Sequence, residues 1–243
     1  MTGIPTGPGS TASSDPARRW RRAFVASAAL LAAGLVAAAG VAYEAPALIH
    51  RFAFGPGHRR QTTQFERLQI TPADVVFLGD SITEAVQWHE LFPEASARNR
   101  GIGGDTVGEV ASRLDPIVHG RPRKLFVMVG TNDVRLRVPL DESMAVYERM
   151  LERVRRESPT TELFVQAVLP RNERYAPRIR AFNTRLREVT ARHGASWLDW
   201  FDTFADERGV IRPAYSNDDL HLLGPGIELW ARLLAPYVNA PAS

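Results

Sequence analysis

The chain has 243 residues, 44% hydrophobic and 23% charged, which suits one substantial core plus an extension and leaves no room for a second full domain. Its net charge of +3 is unevenly placed, +5 over residues 1–60 (seven Arg against Asp15 and Glu44) and −2 over the rest, so the globular part has no basic excess and nucleic-acid binding loses its main support. The absence of cysteine excludes disulfides, a thiolate nucleophile and cysteine-ligated zinc.

Residues 1–17, rich in Gly, Pro, Ser and Thr, cannot bury enough apolar area to offset the entropy of ordering and are expected to be disordered. Arg18, Arg19, Arg21 and Arg22 then flank Trp20, and residues 23–43 carry no charge. As a helix rising about 1.5 Å per residue, that run spans roughly 30 Å, the thickness of a bilayer's hydrocarbon core. The positive-inside rule keeps residues 1–22 in the cytoplasm and puts everything after the run on the outer side, as a single-pass signal anchor in the cell membrane. A cleaved signal peptide, and hence a secreted protein, competes with this: Ala37, Ala38 and Ala39 are of the cleavage type, and Arg21-Arg22 is weakly similar to a twin-arginine signal. The run exceeds the roughly 7 to 15 apolar residues of most signal peptides, which favours the anchor over cleavage, and its being uninterrupted with an arginine cluster at one end argues against a buried core helix. Residues 44–64 turn to Pro, Gly, His and Arg, the composition of a linker to a domain starting near residue 65.

From there, apolar β-branched runs alternate with amphipathic stretches, predicting an α/β domain with a parallel sheet covered by helices on both faces. Strands are expected at residues 74–79, 124–130, 162–169 and 196–200, with a shorter one ending near Asn99. Helices are expected at residues 141–157 and 176–193, where apolar residues recur every three or four positions, and from Pro225 to about Val238. Ligands bind such sheets at the carboxyl ends of the strands.

Four loops at those ends carry chemistry. Gly79-Asp80-Ser81-Ile82-Thr83 puts a serine at a strand-to-helix turn, where free N–H groups favour negative charge. Residues 99–106 form a glycine-rich loop that lets backbone approach a ligand, Gly130-Thr131-Asn132-Asp133 offers a side-chain amide, and Asp218 precedes His221 by three positions. A serine hydroxyl needs a base to take its proton, and the base needs a carboxylate to fix its tautomer. The tetrahedral oxyanion needs N–H donors, each of which typically contributes about 10² to 10³ in rate.

These four loops resemble the Ser, Gly, Asn and His blocks of SGNH hydrolases, with Gly-Asp-Ser-Ile-Thr matching the GDSL signature. The stretch through Asp80, Trp88, Phe92, Asn99 and Asp105 is particularly similar to the branch of platelet-activating factor acetylhydrolase catalytic subunits and related bacterial esterases. The resemblance covers roughly residues 73–235. It implies a three-layer α/β/α sandwich with a parallel, roughly five-stranded sheet. It also implies a serine ester hydrolase with Ser81 as nucleophile, Asp218 and His221 as acid and base partners, and Ser81, Gly104 and Asn132 as oxyanion donors; Gly104 is chosen over Gly103 because it directly precedes Asp105. No cofactor or metal is called for, and the expected partners are a small-molecule, lipid or glycan ester and the membrane.

Each motif alone has a plainer reading. Gly-Asp-Ser is a common turn, Asn132 and Asp133 are typical helix-capping residues, and Asp218, Asp219 and His221 are metal-ligand types without a second cluster. The glycine loop has Thr106 where a dinucleotide fingerprint needs Gly, and Ser81 lacks the following glycine of a lipase nucleophile elbow. An acyltransferase with the same acyl-enzyme, or a membrane-tethered binding module without turnover, remain the alternatives to the esterase. Trp88, Leu136, Leu222 and Leu223 are either the mouth of the site or core.

Overall fold

The structure, a computed structural model, describes residues 16–241. Residues 1–15, most of the tail expected to be disordered, lie outside the described residues, as do residues 242 and 243. The rest falls into two compact units that divide after Leu48. The first holds residues 23–43, which are helical as part of α1 (Pro16–Phe65). Most side chains of residues 23–43 lie outside those described, and among the described residues no helix is long and apolar enough to cross a membrane. Residues 44–64, expected as a linker, are helical instead, and from Ile49 onward they belong to the same unit as the sheet.

That second unit is a five-stranded, wholly parallel sheet of β1 (Val75–Gly79), β2 (Ala97–Gly101), β3 (Lys124–Met128), β4 (Glu162–Gln166) and β5 (Ser196–Leu198), in the order β2-β1-β3-β4-β5. Strands buried on both faces must be apolar throughout, as Val75, Val76, Phe77 and Leu78 are. The pleat sorts them: Val76, Leu78, Leu125, Val127, Leu163 and Val165 face one way, and Val75, Phe77, Phe126, Met128 and Phe164 the other. The first face packs aliphatic residues of α4 (Val107–Ser112), α5 (Asp115–Gly120), α7 (Leu140–Glu157) and α8 (Ala176–Arg192). The second is aromatic and lies under α2 (Ser81–Glu84), α3 (Trp88–Leu91) and α10 (Gly224–Asn239). Two short helices, α6 (Thr131–Leu136) and α9 (Phe201–Phe204), follow β3 and β5. This is the expected three-layer α/β/α sandwich.

Trp88 belongs to the core, not to the mouth of the site. Its ring stacks on Phe77 at 3.8 Å between centroids and meets Trp230 edge-on at 4.9 Å, and it is 1% exposed. Lys124, buried at the foot of β3, donates from Nζ to the carbonyls of Tyr237 and Ala240 at 2.6 and 2.7 Å, which satisfies the otherwise open carboxyl end of α10.

Candidate active site

Parallel pairing sets Gly79 level with both Gly101 and Met128, so the loops leaving β1, β2 and β3 emerge side by side. Since β1 lies between β2 and β3, they flank the point where the strand order reverses, which is where sheets of this kind open a crevice.

Ser81 is the first residue of α2. Asp80 caps that helix, its Oδ1 accepting from Ile82 N–H at 3.0 Å. A helix of one turn cannot hold itself. Instead, Asn99 donates from Nδ2 to the carbonyls of Thr83, Glu84 and Val86 at 3.1, 3.0 and 2.9 Å, and Trp88 Nε1 donates to Thr83 at 3.0 Å. Gly101 lets β2 lie against this turn, for a Cβ there would sit 2.2 Å from Glu84 N.

The loop before α10 brings the other two candidate residues to the serine. His221 Nε2 lies 2.9 Å from Ser81 Oγ, and His221 Nδ1 lies 2.6 Å from Asp218 Oδ2. Asp218 Oδ1 also accepts the N–H groups of His221 and Leu220 at 2.7 and 3.0 Å, so one carboxylate shapes the turn and holds the ring. Partial burial would raise the Asp218 carboxyl, but the His221 ring and N–H outweigh it and hold it at about 2. With the carboxylate ionised, Nδ1–H donates to it, and Nε2 is left to accept the Ser81 proton.

Gly104 and Asn132 meet around Asp105. Gly104 has φ +86°, a conformation that L side chains rarely adopt. Asn132 Nδ2 donates to the Asp105 carbonyl at 3.0 Å and keeps its second hydrogen free of that bond. Among the described residues, neither Ser81 N–H nor Gly104 N–H has an acceptor. Asp133 does cap a helix, though not its own: its Oδ2 accepts Val107 N–H at the start of α4 at 3.0 Å. Asp218, Asp219 and His221 build no metal site, and among the described residues no group of three such side chains does.

Three supporting residues escaped the sequence reading. Arg113, 5% exposed, donates from Nε to Asp105 Oδ2 at 2.7 Å and from its terminal nitrogens to the carbonyls of Arg100 and Gly79, both at 2.9 Å, tying β1 and β2 together at the site. An arginine ending a short helix gives no sign of this. His58 approaches Asp105 from α1, with Nδ1 donating to Oδ1 at 2.7 Å. Gln61, one turn on, donates to Glu84 Oε1 at 2.5 Å.

A serine bonded to a carboxylate-held imidazole at the carboxyl edge of a parallel sheet is the arrangement of a hydrolase. Residues 77–228 match the model of the GDSL-like lipase/acylhydrolase family. Human platelet-activating factor acetylhydrolase IB subunit alpha2 is 30% identical over 174 residues, covering 67% of this chain and 73% of its own, and the bovine alpha1 subunit is 31% identical over 61% and 68%. A solved structure from Streptococcus pneumonia named for platelet activating factor superposes with a TM-score of 0.72 at 27% identity, over 79% of this chain and 97% of that one. A GDSL-like lipase from Bacteroides thetaiotaomicron shares the fold, with a TM-score of 0.66 at 22% identity over 75% and 97%. The chain belongs to the GDSL-like lipase/acylhydrolase family, the SGNH hydrolases, on the platelet-activating factor acetylhydrolase-like branch.

Proposed function

We propose that this hydrolase cleaves carboxylic esters through an acyl-enzyme on Ser81. The observation that carries the reading is the continuous hydrogen-bonded line from Ser81 Oγ through His221 to Asp218, at 2.9 and 2.6 Å. As Ser81 Oγ attacks the ester carbonyl, His221 Nε2 takes its proton, and the carbonyl oxygen gains the negative charge. That oxygen faces Ser81 N–H, Gly104 N–H and Asn132 Nδ2. Collapse expels the alcohol, which takes the proton from His221, and water then repeats the sequence to release the acid. The acetylhydrolase relatives make a short acyl group the first substrate to try. Hydrolysis of p-nitrophenyl esters from acetate to palmitate by the full chain, beside Ser81→Ala, tests this. Turnover that favours short chains and falls at least about 10³-fold in the variant is expected. Equal rates for the two proteins would end the proposal.

We also propose that residues 23–43 anchor the protein in the cell membrane with the hydrolase on the outer side, where lipid or envelope-glycan esters are in reach. The support is the uncharged run behind four arginines. Membrane fractions washed with alkaline carbonate should retain the protein, with its globular part open to protease added from outside; release by the wash, or protection from the protease, would contradict the anchor.

A further inference from the structure

The part of α1 that belongs to the catalytic unit touches the glycine block and the helices that carry the serine and asparagine blocks. Its contact residues, His50, Phe54, His58, Gln61 and Phe65, are spaced four, four, three and four apart, so they share one helix face. Gln61 donates to Glu84 in the serine helix. Phe54 lies on Gly104, where a Cβ would come within 2.5 Å of the ring. His58 holds one oxygen of the Asp105 carboxylate and Arg113 the other, both at 2.7 Å. His50 Nδ1 accepts from Arg135 Nη2 at 2.7 Å, and Arg135 Nε lies 3.5 Å from Asn132 Oδ1. Phe65 carries the Arg100 guanidinium 4.7 Å from its ring centroid.

We propose that this helix face is a working part of the active site, with His58 and Phe54 as positioning residues that aim the oxyanion donors Gly104 and Asn132. The inference rests on the ester hydrolase reading above and extends it to residues outside the 77–228 family match. The physical link is Asp105. Its carbonyl receives the Asn132 amide, its own N–H follows directly on the Gly104 peptide, and its carboxylate is 1% exposed, so the residue turns only if a partner is lost. Freed from His58, the Asp105 carboxylate keeps Arg113 alone, and both donors lose part of what fixes their direction. Donors aimed at charge that develops in the transition state contribute to kcat more than to substrate binding.

The test uses the full chain with His58→Ala, His58→Gln, Phe54→Ala, Phe54→Leu and, as a control on the exposed side of the same helix, Phe52→Ala. Short-chain ester kinetics, melting temperature and backbone amide exchange over residues 100–107 are read for each. His58→Ala and Phe54→Ala should lower kcat about tenfold with KM within about twofold and raise exchange at residues 103–105. His58→Gln, whose amide can still donate, and Phe54→Leu should recover most of the loss, and Phe52→Ala should match the parent. Unchanged kcat and exchange in the alanine variants would overturn the proposal. So would a loss of kcat that follows melting temperature alone and that the Gln and Leu variants do not rescue, since that marks a helix needed only for folding. A parent without turnover would defeat the esterase reading, while the exchange data still decide whether the helix orders the Gly104 loop.

Discussion

Ser81 stands among buried groups: Asp80, Asp105, Arg113, Asn132 and Asp133 are each no more than 5% exposed, and apart from the local cap that Asp80 makes on α2, the bonds that hold them come from β1, β2, α4, α6, α7 and the end of α1. Asp218 and His221 keep side-chain exposures of 47% and 41%, and apart from the His221 bond to Ser81 and the Leu223 N–H bond to the Tyr215 carbonyl that closes the loop, their turn is tied by bonds that reach no further than four residues along the chain. One half of the site is therefore assembled from distant segments and shielded from water, while the other is a local turn that carries its own geometry into solvent. Groups that receive developing charge act best when fixed in a dry setting, whereas an imidazole that shuttles a proton needs one correct tautomer and room to move.

Asp218→Asn breaks the comparison at its exposed side. The asparagine oxygen can still accept the N–H groups of Leu220 and His221, so the turn should persist, but its amide no longer accepts from Nδ1–H and favours the wrong ring tautomer. A fall in kcat of about 10³ to 10⁴ with little change in KM is expected, read from ester hydrolysis beside an unchanged melting temperature. A loss below tenfold would mean that water replaces the carboxylate at this exposed position.

The same contrast explains what could be read in the sequence. The pairing of Asp218 with His221 is legible because spacing along the chain decides it. The serine, glycine and asparagine loops are legible because the strands before them are apolar runs whose ends can be located, although the runs continue past the hydrogen-bonded ladder. Val129, Val168 and Leu169 are buried beyond the ends of β3 and β4, lining the interior after the pairing stops. Arg113 and Asn99, the second named only as part of the resemblance, were not legible as supports, because most of their partners are main-chain carbonyls that have no sequence signature. The helix that reaches to Phe65 was hidden by Gly55-Pro56-Gly57, which costs helix stability and reads as a linker. The three- and four-residue spacing of His50, Phe54, His58, Gln61 and Phe65 was the signal against it, and tertiary contacts along that face outweigh the local propensity.

The two halves should also titrate in opposite senses. Burial pushes the Asp80 carboxyl up to about 7 and that of Asp133 to about 6, whereas Asp218 is held at about 2. A raised folded value means that the native state keeps a proton the unfolded chain has lost, so the contribution of Asp80 is fully present below pH of about 4 and is lost as pH rises through about 7. Asp218 works the other way: its contribution is present above pH of about 4 and is lost as pH falls through about 2, and salt screens it because the group is exposed. Asp80→Asn isolates the first effect, since its amide oxygen can still accept from Ile82 N–H and cap α2. Urea unfolding at intervals from pH 4 to 8 should show stability declining less steeply with pH in this variant than in the parent. Parallel curves would mean that Asp80 ionises at its ordinary value, with water reaching the floor of the serine loop, and the contrast between a dry and a wet half would fail at that point.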